Sequence, residues 1–218
     1  CWSKLQSSHL NLPFANDEDF GRLHASIRLL LPIMPALSAS SPVMDGRATG
    51  VLDNRMEVYR TNARAVPSVA GDVVPEAVFT KAAYQKEIFE RIYRDIAPHD
   101  PNGILQHEWL NSRGAIARFQ RNTIEVRVLD VQECPLADVA ICAAISGVLR
   151  LLTAETWTSY PQQQRVANGA LVKVLQNSST AYRVPFATRT KRKSATRITC
   201  VTLESTRRLF RLANSGSS

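Results

Sequence analysis

The 218-residue sequence has four cysteines, Cys1, Cys134, Cys142 and Cys200, and no Cys-x-x-Cys pair among them. Zinc-ribbon and thioredoxin-type centres are thereby excluded, and reduced thiols in a cytoplasmic protein are the expectation. The nine glycines form neither a Walker-type phosphate loop nor a dinucleotide fingerprint. A Gly-x-Ser-x-Gly elbow and a His-Glu-x-x-His helix are also missing. Long hydrophobic runs are scarce. The longest uncharged stretch, Leu29 to Met44, is cut by Pro32, Pro35 and Pro42, and the stretch from Val139 to Leu149 is shorter. A bilayer span needs about 20 apolar residues, so both stretches are expected to be buried core helix and no membrane partner is expected. The chain opens at Cys1 with neither a methionine nor a signal-peptide pattern, which reads as a chain that has been cut.

What is present is ordinary globular composition, 44% hydrophobic and 21% charged, which excludes disordered and collagen-like classes. A chain of this length buries roughly 70% of its unfolded surface and needs no staples for a core. The net charge of +8 has one source. Residues 183–218 carry nine cations and a single anion, Glu204, so the remainder is neutral. The expected organisation is a folded portion over residues 1–180 and a basic tail over residues 181–218.

Alternation at the start places Ser7, His9 and Asn11 on one face of a strand and Leu10 and Leu12 on the other, with Pro13 as the stop. Asn16 caps a helix whose first turn holds Asp17, Glu18 and Asp19 and whose apolar stripe is Phe20, Leu23, Ile27 and Leu31. After a loop around Asp45, Gly46 and Gly50, a short arginine-bearing helix is expected from Asp53 to about Ala65. A stronger one starts at Thr80, with Tyr84, Ile88, Ile92 and Ile96 at i, i+4 steps and Pro98 beyond its end. Strands at Ala115–Phe119 and Thr123–Asp130 join through Gln120, Arg121 and Asn122, with Asn122 suited to a left-handed turn. Helices from Pro135 to Thr153 and from Pro161 to Leu175 follow. Strands and helices do not alternate as βαβ units, so the fold class is α+β with an antiparallel sheet.

Chemistry concentrates in Thr123 to Asp130. Ile124, Val126 and Val128 share an apolar face, and Glu125 and Arg127 share the opposite one. Two readings are open. One is a charge pair on a solvated face, worth about 0.2–1 kcal/mol. The other joins this face to His9 and Asn11 as the lining of a polar cleft, where carboxylate and imidazole can ligate a divalent ion and guanidinium can hold phosphate. Arg55 and Arg60, five residues apart, read singly as surface cations, and His24, His99 and His107 read as structural.

Three blocks together resemble the glutamate–cysteine ligase type 2, or carboxylate–amine ligase, family. The first is Gln6-Ser7-Ser8-His9-Leu10-Asn11-Leu12-Pro13-Phe14. The second is Leu31-Pro32 through Pro35-Ala36-Leu37-Ser38-Ala39-Ser40-Ser41-Pro42, with Asp45-Gly46, Thr49-Gly50 and Arg55. The third is Ala117-Arg118-Phe119, Ile124 through Asp130, and Gln132-Glu133-Cys134-Pro135. The resemblance covers roughly residues 5 to 155. It implies a partial glutamine-synthetase-like antiparallel sheet flanked by helices. It also implies an ATP- and Mg²⁺-dependent ligase that converts the side-chain carboxylate of glutamate to an acyl phosphate for attack by an amine, cysteine first among them.

On this resemblance His9 and Glu125 are the cation-binding positions, and Arg127 stabilises the transferring phosphoryl group. Arg55 and Arg60 hold a substrate carboxylate, Asn11 orients a ligand, and Ser40 and Ser41 line the cleft. The family pattern also has, ahead of the matching region, a Gly-Val-Glu-Glu-Glu-type strand that supplies further carboxylates. This sequence has no such run, so the expectation is a chain lacking its N-terminal part and binding cations weakly. The alternatives are an inactive remnant of the same fold and a basic-tailed nucleic-acid-binding protein. The tail has only Phe186 and Phe210 for base stacking, so nucleic acid is not the expected partner. Small-molecule substrates are, and a homo-oligomer is compatible with them.

Overall fold

Hairpin geometry organises the molecule. A computed structural model describes residues 6–180; the basic segment 181–218, with Cys200, and Cys1 lie outside the described residues. β4 (Ala115–Arg118) and β5 (Thr123–Asp130) pair antiparallel, joined by a single helical turn over Phe119–Arg121 and by Asn122 in the left-handed conformation at φ 49°, ψ 45°. Asparagine is among the few side chains that take this conformation readily. β1 (Ser7–Pro13) pairs antiparallel with the other edge of β5, giving the order β1-β5-β4. Between Ser8↔Leu129 and Leu10↔Val126 the register slips. There β5 sets Arg127 and Val128 against the single His9, a bulge of the kind that re-aims side chains. The fold is α+β. β2 (Val43–Met44) and β3 (Arg47–Ala48) form a separate two-stranded hairpin in the expected loop, turned by Asp45 and Gly46 at φ 50° and 74°.

The apolar side of the sheet, Ile124, Val126, Val128, Ala115 and Ala117, packs into a core with Phe20, Ile27 and Leu31. These last three belong to α1 (Asp17–Leu30) and the turn after it. The Asn16 side chain accepts from the Asp19 N–H at 2.8 Å and starts α1 as expected. Gly114 lets the sheet meet this layer, since a Cβ there would lie 2.7 Å from Val128 and 3.1 Å from Leu31. His24, sealed in α1 and stacked on Phe20, finds no hydrogen-bond partner, although the Val78 backbone lies within electrostatic reach. Burial pushes its pKa down to about 3.

The chain continues through α2 (Met34–Ser38), buried except at Leu37, and α3 (Asn54–Asn62), shorter than expected and capped by Asp53; the stretch from Leu29 to Met44 is thus buried helix only as far as Ser38, since Val43 and Met44 lie exposed in the β2–β3 hairpin. The Thr80 helix is present but continuous in three parts. α4 (Lys81–Tyr84) leads into a wide π turn over Gln85–Phe89 and then α5 (Glu90–Ile96). Strict i, i+4 steps drift about 40° each on an α-helix, and the wide turn absorbs part of that drift. Tyr84, Ile88, Ile92 and Ile96 are accordingly all buried.

Two expectations are corrected. The helix expected from Pro161 to Leu175 is broken into α7 (Tyr160–Arg165) and α8 (Asn168–Thr180). The break at Val166 feeds a buried cation. Arg28, fully buried, donates to the carbonyls of Pro75 (2.9 Å) and Val166 (3.4 Å) and to Asn168 Oδ1 (3.3 Å). Burial pushes its pKa down to about 10. The stretch from Val139 to Leu149 does form the expected helix, α6 (Pro135–Thr153), but it is not buried core. Ile145, Leu149 and Leu152 pack inward, whereas Leu136 and Val139 are 78% and 63% exposed. By length and composition α6 is the one helix among the described residues that could cross a membrane.

Candidate functional site

The polar side of the sheet gathers charges around one carboxylate. Asn11 stands directly across from Glu125 on β1, and Ile116 directly across on β4. His9 Nδ1 lies 3.1 Å from Glu125 Oε1, and His9 Nε2 lies 2.8 Å from Ser7 Oγ. The tautomer that satisfies both contacts donates from Nδ1 to Glu125 and accepts at Nε2 from the Ser7 hydroxyl. Arg127 Nε is 3.4 Å from the same Oε1, close enough for an ion pair but without hydrogen-bond geometry, while its other arm donates to the Asn111 carbonyl at 3.2 Å. Arg118 donates to Glu125 Oε2 at 3.4 Å and to Glu108 Oε1 at 3.3 Å. The hydrogen bond from His9, assisted by Arg127 and Arg118, holds the Glu125 pKa below the usual range against the opposing effect of burial.

A second group sits at the end of β5. Asp130 Oδ2 accepts from Ser41 Oγ at 2.6 Å and from the Ser40 N–H at 3.1 Å. Burial raises the Asp130 pKa, against these two donors and Arg55. Arg55, 4% exposed, donates to the Arg127 carbonyl and lies over the Tyr59 ring at 5.7 Å. Burial pushes its pKa down, and Asp130 opposes the shift.

Of the residues picked out in the sequence, His9, Asn11, Glu125 and Arg127 therefore share one face. Ser40 and Ser41 hold Asp130 instead. Arg55 connects the two groups through the Arg127 carbonyl. Arg60 joins neither: it is largely exposed and pairs with Glu57 at 3.2 Å. Arg118 was missed although its signal was available. A hairpin turned at Asn122 puts Arg118 across from Thr123 and diagonal to Glu125, within reach of a long side chain. Glu108, arriving from a loop, has no local signature.

The donor set favours anions over a caged metal ion. Among the described residues no three His, Cys, Asp or Glu side chains converge on a common point. Glu125 is the one carboxylate meeting His9, and two guanidinium groups already flank it. Mg²⁺ demands near-octahedral oxygen ligation, which His9 and Glu125 do not provide. Arg118 and Arg127, on either side of Glu125 on a half-open polar face, have the donor chemistry that suits the oxygens of a phosphate.

Fold and site thus describe an α+β protein whose polar sheet face gathers an imidazole and two guanidinium groups around one carboxylate. The family model for glutamate–cysteine ligase family 2 matches residues 5–217, and the chain belongs to that family, a family of ligases. An uncharacterized protein of Archaeoglobus fulgidus is 39% identical over 149 residues, 68% of this chain and 40% of that protein. A Nocardioides sp. protein named "putative glutamate–cysteine ligase 2-1" is 28% identical over 149 residues, 68% of this chain and 35% of that protein. The matched stretch spans less than half the length of either relative.

Proposed function

We propose that this chain carries the phosphate-handling part of an ATP-dependent carbon–nitrogen ligase that forms a γ-glutamyl amide from glutamate and an amine, cysteine first among them. The observation that carries the reading is the convergence of His9, Arg118 and Arg127 on Glu125, on one sheet face of a chain from this family. ATP would supply the phosphoryl group that makes the glutamate carboxylate reactive as an acyl phosphate. Arg127 and Arg118 would hold the phosphate oxygens and spread their charge. Glu125 keeps the two guanidinium groups aimed at the same place, and His9 keeps Glu125 in position. Asn11, exposed across from Glu125, offers an amide for orienting a substrate. Arg55, fixed by the Arg127 carbonyl, would lie behind that face to receive a substrate carboxylate, with Ser40 and Ser41 setting the chain around it. No step is assigned to a magnesium ion, because the donors do not build a cage for one.

The test is phosphate release by the 218-residue chain from the magnesium salt of ATP, with glutamate and cysteine supplied separately and together. Release that requires both substrates and falls at least 100-fold in Arg127→Ala, the scale on which one transition-state donor contributes, is the expected result. A second reading is a scaffold of the same fold without turnover; what favours it is that, among the described residues, no three metal-ligating side chains converge. No release under any combination, with ATP binding unchanged by Arg127→Ala, would sink the ligase reading and leave that one standing.

A further inference from the structure

α6 is apolar on two sides, and the chain covers one of them. Ile145, Leu149 and Leu152 pack inward, while Leu136, Val139, Ala140, Ala143, Gly147 and Leu151 are all exposed. At 100° per residue these six fall within one arc of about 120°, and Arg150 is the single charge in it. A helix that is apolar all round is ordinarily buried all round.

Gly147 adds a second sign. A glycine inside a helix destabilises it relative to alanine, yet a Cβ on Gly147 would meet nothing within 4 Å. Packing within the chain therefore does not require the glycine. A helix approaching from outside would use the space it leaves.

Shape and charge along the face select the occupant. Bulk sits towards the N-terminal end, at Leu136 and Val139, and the hollow follows at Ala143 and Gly147. Glu133, exposed just ahead of the helix, and Arg150, exposed near its other end, carry opposite charges. Two copies crossing antiparallel about a two-fold axis near Ala143 set Val139 of each over Gly147 of the other. The same crossing brings Arg150 of each towards Glu133 of the other, so the face is complementary to itself, as a two-fold contact requires. A parallel pair would set bulk on bulk and like charge on like. A lipid surface suits the face less well, because helices that lie on membranes are rich in Lys and Arg, and α6 has Arg150 alone against Asp138.

We propose that the exposed face of α6 is a dimerisation surface, occupied by α6 of a second copy of this chain in an antiparallel crossing centred on Ala143. The inference stands independently of the ligase reading, since it uses none of the sheet-face residues. The 19 residues of α6 give a contact about 28 Å long. That is small beside the roughly 1,600 Å² of a standard interface, so the dimer belongs in the micromolar range, the weak end of specific association.

The experiment is sedimentation equilibrium of the full 218-residue chain over about 1–200 μM, the range that brackets micromolar dissociation constants. A monomer–dimer equilibrium is expected. Val139→Asp and Gly147→Leu, both at exposed positions, should each weaken it at least ten-fold. Under mild oxidation Ala143→Cys, at the crossing, should give a disulfide-linked dimer above the level of the unmodified chain. Leu136→Cys should not, because the antiparallel pair separates the two copies of that position by about 20 Å. A monomer over the whole range overturns the proposal, as does a dimer that neither Val139→Asp nor Gly147→Leu weakens, or equal cross-linking of Ala143→Cys and Leu136→Cys. Binding to phosphatidylcholine–phosphatidylserine vesicles by a monomeric chain, lost in Val139→Asp, overturns it in favour of a lipid. If Val139→Asp fails to fold, Gly147→Leu and the cysteine pair still decide the matter.

Discussion

Glu125 and Asp53 are both carboxylates with little access to solvent, at 7% and 2% exposure, and each has an arginine nearby, yet their surroundings drive them in opposite directions. Glu125 receives a hydrogen bond from His9 and lies within 3.4 Å of Arg127 and Arg118, so its charged form is favoured. Asp53 receives one backbone N–H and faces Asp130, and burial dominates, so its neutral form is favoured. Arg55 neighbours Asp53 in sequence, but its guanidinium is committed to the Arg127 carbonyl and gives Asp53 only a weak Coulombic pull. Burial alone therefore does not decide ionisation. The number and aim of the donors do.

The comparison breaks or holds on the pH dependence of stability, and Asp53 should show the larger effect. Its folded pKa, about 7, lies above its ordinary 3.8. The stability tied to this group is therefore complete below about pH 4 and is lost as pH rises towards 7. At about 1.4 kcal/mol per pKa unit the loss reaches up to about 4 kcal/mol, shared with Asp130 because the two carboxylates interact. Asp53→Asn should be more stable than the unmodified chain at pH 8 by a sizeable part of that amount and nearly equal to it at pH 4, as read by urea denaturation. Parallel stability curves would show that Asp53 is ionised in the folded chain and that the contrast is false.

Glu125 should give a smaller effect of opposite sign. Its folded pKa lies below the usual 4.5, so its contribution is present above that value and disappears as pH falls through the folded pKa. Glu125→Gln should cost about 2 kcal/mol at pH 7, the scale of a hydrogen bond to a charged group. By pH 3 the difference should narrow. A constant deficit at every pH would mean that Glu125 contributes by packing and not by charge.

The two carboxylates were not equally legible in the sequence. Glu125 announces itself by alternation. Once Thr123–Asp130 is read as a strand, Glu125 and Arg127 must share a face, and the parity of Ser7, His9 and Asn11 supplies the matching face on β1. The bulge at His9 and the arrival of Glu108 depend on tertiary contacts that no period encodes. Asp53 was legible only as the start of a short helix, and its cap to the Met56 N–H fits that place. A cavity that it helps line also takes residues from α8, more than a hundred residues on. Helix patterning fared likewise. The stripe of α1 was readable because Phe20, Leu23, Ile27 and Leu31 recur at helical spacing. α6 is apolar almost all round, so sequence could not say which side would stay uncovered. The break between α7 and α8 was hidden for a third reason, since the acceptors it frees serve Arg28 from a different helix.

The smallest effect tests how the two regions communicate. Ser41 Oγ donates to Asp130 Oδ2 at 2.6 Å and favours the charged form of Asp130, whose charge in turn raises the Asp53 pKa. Removing the hydroxyl in Ser41→Ala should cost about 1 kcal/mol at pH 8. The more informative result is a shift in Asp53. With one donor fewer, Asp130 holds its proton to higher pH, and while it is neutral it no longer repels the Asp53 charge. The loss of stability tied to Asp53, which begins near its ordinary pKa in either chain, should then level off at lower pH in Ser41→Ala than in the unmodified chain. If the same urea titration leaves that levelling-off point in place, burial by itself sets the Asp53 pKa, and the seryl contacts at the end of β5 serve only to hold the chain.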